Sequence, residues 1–467
     1  PPIGKKAPIA RPSSLSFRWS DADAIPVSLS YGEHLRAQLV FSGRANRFVV
    51  EKGTVVLGEG PARLDQRDGL NIVADMKNLY LDHWFGMLNP VSENKPEWLE
   101  RVRRLELHSP RVYLNGRDLG IVSLQLQRSE SGWMGTLNGT YAKGSVRWPA
   151  SQQNDAALRL DLDSLSIPKF PDRVRGAEDK KASVDPRWLP DLNVTSEHLV
   201  WRGVDYGRLE LTTKRRPYGQ DIDHLKLFSN NHRLTLSGHW KHTDFYDSTQ
   251  ITGELVVDDV GLFLKGLGKS NVIQETKGHF DFLLGWNGPP YRLTAGQLAG
   301  DVNMLFGAGR LLTVEPGMGR ALGMFNLDAL KRLLLFDLSH LFGEGLAYDQ
   351  VKGAIKLADG SAAIERFVIE GVPVRIEIGG RIDLKNENLD NVVTVTSKTG
   401  APLGMAALLA QQLTVNAVKG VARKKYSLTG SWDDPMIKRL TVESGWPQKA
   451  WSGMTNSSEE DQERRQK

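Results

Sequence analysis

Five residues, Gly266-Leu267-Gly268-Lys269-Ser270, come nearest to a chemical motif in this sequence, because a glycine-rich turn closing on Lys-Ser is how a phosphate-binding loop ends. The full spacing needs a glycine where Phe263 stands, so nucleotide binding is not expected. Asp433-Asp434-Pro435 offers two carboxylates, the groups that acid–base chemistry uses in pairs. Adjacent strand residues point to opposite faces, and a carboxylate pair before proline reads better as a turn. The 10 histidines are scattered, with no H-E-x-x-H and no pair at ligand spacing, and there is no G-x-S-x-G elbow. With no cysteine there is no disulfide, thiolate metal site or cysteine nucleophile. No catalytic residue, metal or cofactor is expected, and an enzyme is the least favoured class.

The elements must therefore carry the function. The chain has 467 residues, 40% hydrophobic and 25% charged, which suits a folded protein of several domains. Its 60 basic and 55 acidic residues are spread along the whole length, so the net +5 implies no nucleic-acid partner. The start, Pro1-Pro2-Ile3-Gly4, has neither an initiator Met nor a signal-like apolar run and reads as a piece of a longer chain, with any anchor upstream. The longest near-apolar run, Ala401 to Val418, is interrupted by Gln411, Gln412 and Asn416 and is not expected to span a membrane.

Alternation of period two, the mark of a strand with one apolar face, recurs throughout. It appears at Leu105/Leu107, Val122/Leu124/Leu126, Leu158/Leu160/Leu162, Leu209/Leu211, Leu225/Leu227, Leu234/Leu236, Phe280/Phe282/Leu284, Ile355/Leu357 and Ile376/Ile378. Asn115-Gly116, Asn138-Gly139, Asn287-Gly288 and Asp359-Gly360 suit tight hairpins, so the expected sheet is antiparallel and mostly a meander. Ser109 to Gly120 matches Ser196 to Gly207 at a constant offset of 87, marking a duplicated block of strands. Helical signals are few: short ones at Asp82 to Leu88, Pro96 to Arg104 and Asp259 to Leu267, and longer ones near 316–335 and 402–421. These divide the chain into a strand segment 1–88, a repeat block 89–170, a proline-rich loop 171–190, a second block 191–315, a helix-containing C-terminal region 316–440 and a polar tail 441–467.

The expected fold is thus mainly β, a long, twisted antiparallel sheet with few helices. Its apolar face needs a second sheet, helices or a ligand to cover it. The helices are too few, a second sheet would give closed β-sandwich domains that bind proteins, and a ligand would need the sheet to curl into an open groove. Strands about 4.8 Å apart would make a trough on the order of 100 Å long. Lipid suits it, since each methylene kept from water contributes about 0.8 kcal/mol. The residues picked out by alternation are the candidate lining. Met405, Leu408, Leu409 and Leu413, followed by Lys419 and Arg423, could rest on an anionic membrane surface or plug the end of the sheet.

Four segments in order, Val314 to Gly323, Leu335 to Asp349, Arg375 to Arg381 and Gly430 to Pro435, resemble the C-terminal region of the YhdP family of AsmA-like proteins. Gly69 to Ile72 and Leu79 to Trp84 extend the likeness upstream. The resemblance implies a periplasmic protein anchored in the inner membrane, whose curled β-sheet bridges phospholipid to the outer membrane without catalytic residues. The C-terminal part would lie toward the outer membrane. The usual glycine- and alanine-rich apolar segment is shortened here to Gly400 to Val421.

Overall fold

A computed structural model describes residues 12–17, 24–43, 49–81, 100–114, 117–149, 157–168, 185–243, 246–267, 273–311, 346–372, 374–397, 423–431 and 435–440. Twenty-four of the described strands belong to one mostly antiparallel sheet, and the chain divides into two compact units.

In the first unit, Pro1–Leu267 with Gly278–Val302, β1 (Ser13–Phe17), β2 (Ala24–Tyr31), β3 (Leu35–Ser42) and β4 (Val49–Gly58) form an antiparallel meander. β5 (Gly69–Asp75) lies parallel to β4, and the two-residue β6 (Leu79–Tyr80) precedes β7 (Val102–Ser109), which is parallel to β5. After the short β8 (Val112–Leu114) and β9 (Arg117–Asp118), β10 (Val122–Ser129) returns antiparallel to β7. β11 (Gly132–Gly139), β12 (Ala142–Pro149) and β13 (Leu158–Ile167) continue the meander. β14 (Leu192–Trp201) is parallel to β13, and beyond β15 (Val204–Asp205) come β16 (Arg208–Arg216), β17 (Gly219–Phe228), β18 (His232–His242) and β19 (Asp247–Val257). Helix α1 (Val260–Gly266) follows, capped by the Asp259 carboxylate, which accepts from the Leu262 N–H. After β20 (Ile273–Gln274), β21 (Gly278–Asn287) pairs antiparallel with β19.

The second unit, Gly268–Lys277 with Asn303–Lys467, follows β22 (Ala299–Phe306), which spans the division. Here β20, β23 (Gly309–Leu311) and β24 (Leu346–Tyr348) make a small sheet. β25 (Gln350–Ala358), β26 (Ser361–Glu370), β27 (Val374–Asp383), β28 (Asn388–Ser397), β29 (Arg423–Ser431) and β30 (Pro435–Leu440) form a consecutive antiparallel meander. Asp359-Gly360 makes the β25–β26 turn with both φ angles positive, as the sequence suggests.

Four features depart from the sequence reading. Four strand pairings among the described residues, β4–β5, β5–β7, β6–β8 and β13–β14, are parallel, because chain crosses over before each second strand; residues 185–190 belong to one such crossover. Asn138-Gly139 ends β11, opposite Lys143 and Val122, and the bend falls at Thr140-Tyr141. The helix expected over 96–104 gives way to strand from Val102. Asp359-Gly360 apart, the hairpin signals are less regular, since Gly288 leads into a short turn of 3₁₀ helix at Pro290–Arg292. The helices expected at 82–88, 316–335 and 402–421 and the tail 441–467 lie outside the described residues, as do Asn115-Gly116, Gly268 to Ser270 and Asp433-Asp434.

The duplicated block is visible bond by bond. Ser109 and Ser196 are fully buried, and their hydroxyls donate to the carbonyls of Arg111 and His198, both at 2.9 Å. Asp118 and Asp205 accept from the N–H of Gly120 and Gly207 at 2.7 and 2.8 Å. The matching sequence folds the same way twice because these short side chains satisfy the same turn amides.

Candidate functional site

Paired residues on neighbouring strands point to the same face, so register shows what each face is made of. One row can be followed through the first unit from β1 to β21. It runs Leu15, Leu29, Ala37, Val55, Ile72, Leu105, Leu126, Gly135, Val146, Leu160, Val194, Leu211, Leu225, Leu236, Gly253 and Phe282, and holds no polar side chain. The next row on that face runs from Leu107 through Leu124, Leu137, Gly144, Leu162, Ser196, Leu209, Leu227, Leu234 and Leu255 to Phe280. Its one polar member, Ser196, has its hydroxyl bonded internally. Val122, Leu158 and Leu284 occupy the same face further along their strands.

The opposite face is polar. A row there runs from Glu106 through Gln125, Thr136, Ser145, Asp161, Thr195, Glu210, Lys226, Thr235 and Glu254 to Asp281. Its groups bond to one another: Arg147 pairs with Asp161 at 2.5 Å, and Thr195 donates to Asp161 at 3.1 Å. Glu254, His279 and Asp281 bring possible ligand atoms within 4.8 Å of one another on this face, with both carboxylates exposed.

The two units treat their apolar faces differently. In the first, Leu105, Leu107, Leu124, Leu126, Leu158, Leu160, Leu211, Leu225, Leu234, Leu236, Phe280, Phe282 and Leu284 are only half-buried, as is Val122, while Leu162, Leu209 and Leu227 are buried. Five glycines on this face, Gly53, Gly135, Gly144, Gly238 and Gly253, admit close backbone approach; a Cβ on Gly135 would overlap the Gln125 carbonyl, and one on Gly253 the Thr235 carbonyl. Bulges at Lys143/Gly144, Thr212/Thr213 and Ile222/Leu225 add local bends. In the second unit Ile355 and Leu357 are 4% exposed and Ile376 is 0% exposed; Ile378, opposite Phe367, is half-buried.

Of the membrane-contact candidates, Arg423 opens β29 and pairs with Glu377 at 3.5 Å. Met405, Leu408, Leu409, Leu413 and Lys419 lie outside the described residues. Among the described residues no helix is long and apolar enough to cross a membrane, which says nothing of membrane-spanning strands.

The sequence pattern missed Leu137, Val146, Val194, Ile251 and Leu255. Glycine alternates with several of them, as in Gly135-Thr136-Leu137 and Gly253-Glu254-Leu255, and a missing side chain hides the period; counting glycine as apolar would have found those.

At one end of the strands, His232 closes the apolar face. Its Nδ1 lies 2.7 Å from the Ser229 hydroxyl, and its ring meets Phe263 of α1 edge-on at 5.2 Å and Tyr206 at 6.0 Å. Burial holds its pKa below the usual histidine value, and burial with the nearby Lys241 ammonium does the same for His239. A depressed histidine gives stability that is full above the unfolded value, about 6.5, and lost as pH falls through the folded one. Urea midpoints of the first unit should therefore fall between about pH 7 and pH 5, and His232→Gln should flatten that slope. A midpoint independent of pH in the unsubstituted chain would rule this out.

At the other end, Asp185 of the crossover accepts from the backbone N–H of Arg187 and from its guanidinium, with His242 3.9 Å away. Gln220 Nε2 donates to the carbonyls of Pro186 and Leu189. Burial raises the Asp185 pKa, but the bonds from Arg187 and the His242 charge outweigh it and leave it lowered.

Residues 1–437 match the family described as YhdP protein. The chain belongs to the YhdP family. Over 361 residues it is 22% identical to "Intermembrane phospholipid transporter YhdP" of Escherichia coli (strain K12), covering 72% of this chain and 28% of that relative. The chain thus spans less than a third of the relative's length. No solved structure matches it. For this YhdP-family chain, the feature to explain is a row of apolar residues unbroken from β1 to β21 in the first unit.

Proposed function

We propose that this chain is a segment of a non-enzymatic phospholipid conduit of the bacterial envelope, acting between inner and outer membranes in a protein anchored upstream. The row from Leu15 to Phe282, free of polar side chains across its strands, carries the reading. A polar break would cost a sliding acyl chain several kcal/mol, so continuity along the row is what transport requires. Half-exposure of the lining favours an occupant over a packed second sheet, and the facing glycines and bulges favour a sheet curled toward its apolar side. Membership of the YhdP family and the likeness to a phospholipid transporter supply the cargo class.

In the second unit the apolar face is filled, which suits an end or a gate better than open groove. The basic C-terminal segment Lys419 to Lys425 remains the candidate for contact with a membrane surface.

Lipid extraction of the purified chain followed by mass spectrometry tests the proposal. Phospholipid is expected at roughly one or more per chain, as burial of a whole acyl chain is worth about 13 kcal/mol. A folded chain that retains none after purification from membranes would sink it.

A further inference from the structure

The two ends of the strands in the first unit are chemically unequal, and the inequality repeats with the duplicated block. Where β10 turns into β11, Arg128 follows Val122, Leu124 and Leu126 at period two and so ends the apolar side of its strand. Where β16 turns into β17, Arg215 ends the side carrying Leu209, Leu211 and Thr213. The two arginines are 87 positions apart, the offset of the repeat. Indoles accompany Arg128. Arg128 lies over the Trp133 ring at 5.9 Å, and Trp133 faces Trp148. One nitrogen of Arg128, Nη1, donates to the Glu100 carbonyl at 2.7 Å, which fixes the guanidinium at this edge. Arg215 is itself exposed, while Gln220, Trp240 and Trp286 further along this edge are buried, the indole N–H groups donating to Asp247 at 3.2 Å and to the Pro289 carbonyl at 3.1 Å.

The other end of the same strands is closed on itself. Ser109 and Ser196 donate to their own turns, and α1 brings Phe263 against His232. Arg202 lies over the exposed Trp201 ring at 5.4 Å at this end too, but Leu114 and Asn115 stand at the matching positions of the first block, so that guanidinium is not repeated as Arg128 and Arg215 are. One edge thus offers a repeated guanidinium group, and the other offers satisfied turns.

We propose that the Arg128/Arg215 edge is the headgroup edge, where the phosphate of a bound glycerophospholipid sits while its acyl chains lie along the strands, across the leucine rows, toward the Ser109/Ser196 end. This rests on the conduit reading above. A guanidinium presents a fork of N–H donors that suits phosphate oxygens. Indoles favour the boundary between polar headgroup and hydrocarbon, a place open here to the half-buried Trp133 and the exposed Trp148. The eight-residue strands β10 to β12 are about 27 Å long, enough to cover an extended acyl chain. The cargo is therefore phosphate-bearing lipid held in one orientation, with its headgroup passing from one arginine to the next.

The chain has no cysteine, so a single introduced one reports a single place. Ser131, in the turn beside Arg128, and Asn230, in the β17–β18 turn at the other end, are both exposed. The experiment compares Ser131→Cys and Asn230→Cys for labelling by phosphatidylethanolamine carrying maleimide on its headgroup, presented in phosphatidylcholine vesicles. Each rate is divided by that for a water-soluble maleimide. Labelling at Ser131→Cys is expected to be on the order of tenfold faster, as one charge-assisted phosphate contact provides. Adding Arg128→Ala and Arg215→Ala should abolish the difference. Equal rates, or preference for Asn230→Cys, overturn the headgroup edge, and the conduit reading survives if phospholipid still co-purifies. Lipid labelling at neither site, with no lipid in the extract, removes both.

Discussion

Replacing Leu160 and Phe282 together by aspartate is expected to cut phospholipid capture by tenfold or more while the chain stays folded. Both belong to the same unbroken row, and both are half-buried. Their exposure lets a carboxylate reach water in the empty protein, so stability changes little. A bound acyl chain would strip that water, and pressing a carboxylate against hydrocarbon costs several kcal/mol, more than the roughly 1.4 kcal/mol behind each factor of ten. Captured phosphatidylglycerol, counted per chain after incubation with vesicles and repurification, measures the loss, and circular dichroism checks the fold. Undiminished capture in the folded double variant would argue that lipid, if bound at all, lies elsewhere. A control on the polar face, Thr195→Asp, should leave capture unchanged, since Thr195 sits one position along the strand from Val194 on the other side of the sheet.

The apolar face was legible because period-two alternation survives whatever the neighbouring strand is. Leu105, Leu160, Leu225 and Phe282 could be assigned to strands separately, and register then placed them in one row. Strand direction was not legible, because Leu158 to Leu162 alternates alike beside a parallel or an antiparallel neighbour. What decides direction is the crossover before β14, a feature of connection length and not of side-chain pattern. Asn138-Gly139 misled for a related reason: the dipeptide permits positive φ but does not demand it, and with Gly139 opposite Val122 the ladder continues through both residues. The duplication at offset 87 was legible, because Ser109 and Asp118 make the same turn bonds as Ser196 and Asp205.

Exposure was the quantity that alternation could not supply. Ile355/Leu357 and Ile376/Ile378 have the same pattern as Leu158/Leu160, so the sequence ranked them equally as groove lining. In the structure Ile376 offers no surface at all, and Leu160 keeps part of its own. A period of two says which side a residue is on; only the layer packed against that side says whether room remains for a ligand.

That difference makes the same substitution diagnostic in the two units. Ile376→Asp is expected to unfold the second unit, in contrast to Leu160→Asp in the first. Ile376 is 0% exposed, between Ile369 and Val395 in register, with Ile382, Val393 and Val374 each 1% exposed on neighbouring positions of β27 and β28. Truncating such a side chain removes about 2–5 kcal/mol, and a carboxylate without a partner adds several more, which together exceed what a unit of this size has to spare. Hydrogen exchange should show amides of β25 to β30 losing protection in Ile376→Asp, while those of β10 to β19 keep theirs. Retained protection in β27 would mean that the face of the second unit opens as readily as that of the first. The lining would then extend through Ile355, Leu357 and Ile376 after all, and lipid capture should fall in Ile376→Asp as it does in the Leu160/Phe282 pair.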